Sequence, residues 1–186
     1  MSHPPPSASH QHTLAGPAVF AGVGLHTGQR VRAAILPAPA GSGIVFLRTD
    51  VQGDGRIDAR AHNVASTRLS TVIGNVAGAT VSTVEHLMAA LHGLGVDNVL
   101  VELDGPEAPI MDGSAEPFVS LIDRAGRRRQ EPPRRVIEIL ERVEVADGDK
   151  RAALAPADAF ELSVEIDFAS AAIVHHHVQT LAADGG

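Results

Sequence analysis

The stretch Ser82-Thr83-Val84-Glu85-His86-Leu87-Met88-Ala89-Ala90-Leu91 decides how this chain is read. At 100° per residue, Val84, Leu87, Met88 and Leu91 fall within about 100° of one another, the apolar stripe of a helix lying on a core. The helix is expected from Val81 to Leu94. Glu85 sits at the edge of the stripe. His86 points almost directly away from it, flanked by Ala89 and Ala90, which are small enough for a second layer to approach. A carboxylate and an imidazole therefore stand side by side in the first turn, as a general base and a metal ligand for one site would. A plainer account competes. Ser82-x-x-Glu85 has the spacing of a capping box, in which Glu85 bonds back to the Ser82 amide, and His86 is then only a solvent-facing residue. His92 is six positions on and lies on another face, so the i, i+4 spacing of helical metal ligands is absent.

Outward from this helix the pattern alternates between strand and helix signals. Val31, Ala33 and Ile35 alternate, Pro37 to Gly43 supplies turn chemistry, and Ile44 and Phe46 resume the alternation, which predicts two strands and a loop. Gly53 to Thr71 is polar and fits a small strand-loop insertion. Val99, Val101 and Leu103 make a further strand. Phe118, Leu121, Ile122 and Ala125 follow i, i+3, i+4, i+7, so a second helix ends at Gly126. Residues 1–12, rich in Pro, Ser and His, read as a disordered tail. Residues 127–135 hold five arginines around Pro132 and Pro133. They read as a linker, with a phosphate-binding patch as the sharper alternative. From 136 to 186 only strands are expected. Arg135 to Val145 is one candidate, Asp147-Gly148-Asp149 is a hairpin turn, and Phe160, Leu162, Val164, Ile166 and Phe168 alternate with polar residues. The fold class is α+β: a first domain over 13–126 with a sheet on two helices, then the first strands of a second, similarly built domain that looks truncated because no helix covers its sheet.

Bulk properties narrow the function. A chain of 186 residues with 44% hydrophobic content builds a full core. Its net charge of -7 argues against nucleic acid as a partner. With no cysteine, any metal must be held by His, Asp or Glu. No apolar run nears the roughly 20 residues of a membrane span and the N-terminus is not a signal peptide, so stable membrane insertion is not expected and the location is read as cytoplasmic.

Thr83-Val84-Glu85-His86, followed by Gly95-Val96-Asp97-Asn98 and Pro109-Ile110-Met111-Asp112-Gly113-Ser114-Ala115, resembles the zinc-dependent UDP-3-O-acyl-N-acetylglucosamine deacetylases of lipid A biosynthesis. The fold this implies is ribosomal S5 domain 2-like. The resemblance implies zinc as cofactor, His86 as one ligand and Glu85 as general base in hydrolysis of an N-acetyl group. Gly22-Val23-Gly24-Leu25-His26-Thr27-Gly28 resembles the family's N-terminal signature, and its spacing is one residue off the dinucleotide fingerprint. His26 is thereby expected to contact substrate; the alternative is a tight turn with an incidental histidine. Leu69 and Ser70, in Thr67-Arg68-Leu69-Ser70-Thr71, are expected to line the pocket. Asp112 supports the site from outside the ligand set or merely holds a turn or helix N-cap. Lys150 resembles the residue facing the nucleotide diphosphate, Asp167 the uridine hydrogen-bonding group and Phe168 its stacking partner. Plainer roles are an exposed hairpin lysine for Lys150 and an extended apolar stripe for Phe168.

The family's other two zinc ligands, from a His-x-x-x-Asp helix, have no counterpart in this sequence, and neither do its later threonine and histidine. His175-His176-His177 matches no family ligand and reads as a polar strand or terminus. Beside the deacetylase, two alternatives stand: a catalytically inactive fragment of that enzyme, and a non-enzymatic binding module. The expected partners are the UDP-linked acylated glucosamine and a missing C-terminal half, or self-association through an exposed second sheet.

Overall fold

The computed structural model describes residues 10–158, 160–166 and 181–183. The chain divides into two units, 1–134 and 135–186. Its class is α+β, with mixed sheets and two helices.

In the first unit, β1 (His10–Leu14), β2 (Ala18–Val23), β3 (Arg30–Pro37), β4 (Ile44–Arg48) and β5 (Arg56–Asp58) precede a 3-10 turn at Ala61–Asn63. Then come β6 (Val64–Ser66), β7 (Val72–Gly74), β8 (Thr80–Val81), α1 (Glu85–Gly93), β9 (Val99–Leu103), α2 (Glu116–Ala125) and β10 (Arg127–Pro133). Five strands form one sheet in the order β2-β3-β9-β4-β5. All its pairings are antiparallel except β4 with β9. The chain returns to the sheet through α1 between those two parallel strands, as a parallel pair requires a crossover. Strands β6, β7 and β8 make a separate antiparallel sheet; only β6 lies in the polar stretch Gly53 to Thr71 read as an insertion, β7 and β8 lie beyond it, and β5 within it joins the main sheet.

The alternation of Val31, Ala33 and Ile35 places all three in the core. In β4 both Val45 and Phe46 are buried, so this strand is covered on both faces. The largest fully buried side chains include Phe46, Phe118, Ile35, Leu87, Leu91 and Ile122. Phe118 of α2 meets Phe20 of β2 edge-to-face, with centroids 5.6 Å apart, and this contact ties α2 to the sheet edge. On α1 the buried face is Leu87, Ala90 and Leu91, with Met88 only partly buried. The stripe is thus rotated toward His86 relative to the expected one, because α1 packs against α2 as well as the sheet core. Ala90 is consumed by that packing; Ala89 remains exposed.

Two boundaries differ from the sequence reading. The expected tail, residues 1–12, is strand from His10 onward, and the expected linker, 127–135, is strand β10 over most of its length. The two pair antiparallel as a ribbon, Leu14 opposite Arg127. Main-chain pairing holds them irrespective of their polar composition, and polar side chains lock the ribbon. Asn98, 1% exposed, donates to Gln11 Oε1 and Gln130 Oε1 and accepts from the Gly43 amide. The arginines are used inside the unit: Arg134 makes a two-pronged pair with Asp97, and Arg127 donates to the Leu94 carbonyl.

In the second unit, β11 (Val143–Asp147) and β12 (Lys150–Leu154) form a hairpin across Gly148 and Asp149, with Gly148 at φ 63, the turn expected from sequence. β13 (Phe160–Leu162) pairs with β14 (Leu181–Ala183). Residues 135–142 form no strand, and the alternating run from Phe160 is strand only to Leu162. Leu162, Val164 and Ile166 are exposed rather than half-buried. Among the described residues this unit has no helix to bury such a face.

Candidate active site

The site is assembled where three segments of the first unit meet: the loop after β2, the turn that opens α1, and the 104–112 segment after β9. Helix α1 begins at Glu85 itself, four residues later than expected from Val81. The capping box does not form. Ser82 donates its amide to the Pro106 carbonyl, and Glu85 Oε2 instead accepts the Thr71 amide at 3.0 Å. The Glu85 carboxylate is therefore turned away from its own helix end toward the 67–71 loop. Oε1 has no protein hydrogen-bond partner among the described residues. This loop carries the expected pocket residues Leu69, highly exposed, and Ser70, partly buried.

His86 is half-buried on the first turn of α1. Asp112 stands near enough for the His86 charge to act on it. Asp112 accepts the Ser114 amide and hydroxyl, both at 2.8 Å. These bonds, the Ser114 amide foremost, hold its carboxyl below the ordinary value, with His86 adding to the effect. The N-cap position of α2 is Ala115, so Asp112 holds a turn three residues before the cap rather than capping the helix. An open groove of about 480 Å3, lined by Gly22, Val23, Ile110 and Met111 among others, adjoins Asp112.

The loop Gly24–Gly28 is organised by a residue that the sequence reading did not single out. Glu107 is fully buried and receives the His26 amide (3.0 Å), the Thr27 amide (2.9 Å), the Thr27 hydroxyl (2.8 Å) and the Thr83 hydroxyl (2.9 Å). Burial pushes its carboxyl up, but these four donors outweigh burial and its pKa lies below the ordinary value. The glycines now have physical reasons. A Cβ at Gly24 would overlap Glu107 Oε2 and Thr27 Oγ1, one at Gly22 would press on Pro109, and Gly28 has φ 65. His26 is exposed at the tip, its main chain fixed by the bond to Glu107. One signal for Glu107 was present in sequence: a carboxylate between Pro106 and Pro109, with no Lys or Arg in Asp104-Gly105-Pro106-Glu107-Ala108-Pro109 to pair with it.

The expected site residues thus divide into groups. Glu85, His86, Asp112, Leu69, Ser70 and His26 lie on segments that converge in the first unit. Lys150 is exposed at the start of β12 in the second unit, opposite Asp147. Asp167, Phe168 and His175–His177 lie outside the described residues. Among the described residues no group of three or more His, Asp or Glu side chains could hold a metal ion. The described residues therefore do not make a complete ligand set for zinc; His86 offers one imidazole. No helix among them is long and apolar enough to cross a membrane.

Glu85, with one carboxylate oxygen unpaired among the described residues, thus stands beside His86 at the start of a helix whose opening turn is pinned to a glycine-rich loop. Residues 11–184 match the family profile of UDP-3-O-acyl N-acetylglycosamine deacetylase (LpxC), and the chain belongs to that family. It is 65% identical over 164 residues to the UDP-3-O-acyl-N-acetylglucosamine deacetylase of Phenylobacterium zucineum, covering 88% of this chain and 56% of the relative. The enzymes of the same name from Myxococcus xanthus and a Geobacter species are 54% and 48% identical, with 52% and 53% of their lengths covered. The chain spans about half the length of these curated relatives.

Proposed function

We propose that the chain contributes the Glu85-His86 half of a hydrolase that removes the N-acetyl group from UDP-3-O-acyl-N-acetylglucosamine in lipid A biosynthesis. The observation that carries this is the bond from the Thr71 amide to Glu85 Oε2, which takes Glu85 out of a capping role and leaves Oε1 to accept a proton. In this reading Glu85 Oε1 takes a proton from an attacking water as the water oxygen adds to the acetamide carbonyl, and that proton passes to the amide nitrogen as the C–N bond breaks, giving acetate and the free amine. His86 is a zinc ligand by family, with Asp112 fixing its surroundings from one side. The described residues alone do not complete that metal site. His26, Leu69 and Ser70 face the sugar and its substituents. Lys150, Asp167 and Phe168 are assigned to the nucleotide. The ribosomal S5 domain 2-like arrangement of the first unit and a cytoplasmic location belong to the same reading.

The test is acetate release from UDP-3-O-acyl-N-acetylglucosamine by the purified chain mixed with zinc and with a polypeptide spanning the part of a curated relative that this chain does not match, with zinc retention after dialysis measured in parallel. Release that falls at least about a hundredfold in Glu85→Gln, within the range for loss of a general base, and zinc retention lost in His86→Ala, support the proposal. A wild-type mixture that releases no acetate overturns it.

A further inference from the structure

We infer that Glu107 is a positioning residue of this site: its carboxylate clamps the His26 loop to the Thr83 turn and so sets His26 relative to Glu85 and His86. The inference rests on the function proposed above for its meaning, but its geometry stands on its own.

Three observations carry it. First, among the described residues the tip of the loop, Leu25 to Thr27, makes its hydrogen bonds to other segments only through Glu107. The remaining bonds of Gly24, Thr27 and Gly28 close the loop on itself or on Gln29. Second, Glu107 is an unusual choice for a merely structural position. It is fully buried and receives no Lys or Arg, so its charge is balanced by two main-chain amides and two hydroxyls. Oriented amides of this kind commonly cradle an external anion; here the protein supplies its own. A buried charge without a cation is tolerated only where every acceptor position is used. Third, Thr83 adopts φ 58, a left-handed conformation disfavoured for a β-branched residue. Its hydroxyl is held by Glu107 Oε1 at 2.9 Å, and two residues further on the helix opens with Glu85. Backbone strain, a buried acceptor and the catalytic pair are thereby consecutive along one path. The segment carrying Glu107 also pairs with Ser82, through Ser82 N–H to Pro106 O and Ala108 N–H to Ser82 O, which keeps the carboxylate in register with the turn.

The clamp predicts coupling between residues that do not touch. Thr83 makes no hydrogen bond to His26 or Thr27; Glu107 stands between them. The experiment is amide NMR with hydrogen exchange on the 186-residue chain, comparing wild type, Thr83→Val, Thr83→Ser and Glu107→Gln. Thr83→Val keeps the branched shape and removes the donor. It is expected to move the His26 and Thr27 amide resonances and speed their exchange by about tenfold, the equivalent of one hydrogen bond to a charged group. Thr83→Ser restores both. Glu107→Gln moves residues 26–27 and 83–86 together while the resonances of β3 and β9 stay in place. Changes in Thr83→Val confined to residues 82–85 overturn the inference, and this comparison decides alone if Glu107→Gln does not fold. Titrating UDP-3-O-acyl-N-acetylglucosamine into the same samples separates the two levels. Binding weakened in Thr83→Val and regained in Thr83→Ser supports the positioning role. Coupling without any wild-type binding supports the clamp and sinks the proposed function instead.

Discussion

Replacing Gly24 by alanine puts one methyl group where the Glu107 carboxylate and the Thr27 hydroxyl already are. The backbone there is not left-handed, so steric overlap is the whole of the local effect. To reach ordinary van der Waals distance the carboxylate must retreat by about 1 Å. Its bonds from the Thr27 amide, 2.9 Å, and the Thr27 hydroxyl, 2.8 Å, are then stretched beyond hydrogen-bonding range. Bonds to a charged acceptor contribute about 1.5–3 kcal/mol each, so two of them amount to about 3–6 kcal/mol. Restricting the unfolded chain returns about 0.4–1 kcal/mol. The expected net loss is about 2–5 kcal/mol. Gly28→Ala is the control, because a Cβ there meets nothing within 4 Å and only the left-handed backbone opposes it, at about 1–2 kcal/mol. The assay is urea unfolding followed by far-UV circular dichroism, since the sequence has no Trp or Tyr to report by fluorescence. A fall in midpoint at constant m-value measures stability directly. If Gly24→Ala is no more destabilising than Gly28→Ala, the carboxylate does not occupy that space and the account of the loop is wrong.

Two further outcomes follow from the same contacts. The Glu107 carboxyl is lowered in the folded protein, so its contribution is present above the unfolded value of about 4.3 and is lost as pH falls through the depressed folded value. The stability gap between wild type and Glu107→Gln should therefore be steady from neutral pH down to about 5 and shrink below about 4; a gap that persists unchanged in acid unfolding curves contradicts the assignment. Phe118→Ala removes a ring that is 1% exposed and edge-on to Phe20, and should cost about 3–5 kcal/mol. Of this, about 0.5–1.5 kcal/mol should appear as coupling to Phe20 in a double-mutant cycle. A loss under about 1 kcal/mol would mean that α2 is not anchored on β2 as described.

What could be read from the sequence, and what could not, follows from how each interaction is encoded. Ile35, Phe118 and Ile122 announce their elements because burial imposes a period of two or of 3.6 on apolar residues, and Gly126, at φ 74 with its amide on Ile122 and Asp123, ends α2 where a helix must stop. The β1–β10 ribbon carries no such period. Its strands are His10-Gln11-His12-Thr13-Leu14 and Arg127-Arg128-Arg129-Gln130-Glu131-Pro132-Pro133, and composition alone makes one a tail and the other a linker. What joins them is main-chain pairing and the bonds of Asn98 to Gln11 and Gln130 across 87 and 32 residues, a relation that no local window contains. The site divides in the same way. Glu85 and His86 stand out because the motif around them is contiguous, yet whether Glu85 caps its own helix was open until Thr71, 14 residues earlier, supplied the bond that the Ser82 capping box would have claimed. Glu107 could not be found by hydrophobic pattern, which treats a carboxylate as exposed. The trace it leaves is indirect, in the glycine at position 24, which is required by a side chain more than eighty residues away. A glycine in a loop is usually explained by its own backbone. Here the requirement comes from the space a distant carboxylate occupies, and the same approach that forbids a Cβ at Gly24 lets that carboxylate collect the amides of His26 and Thr27 together with the hydroxyl of Thr83.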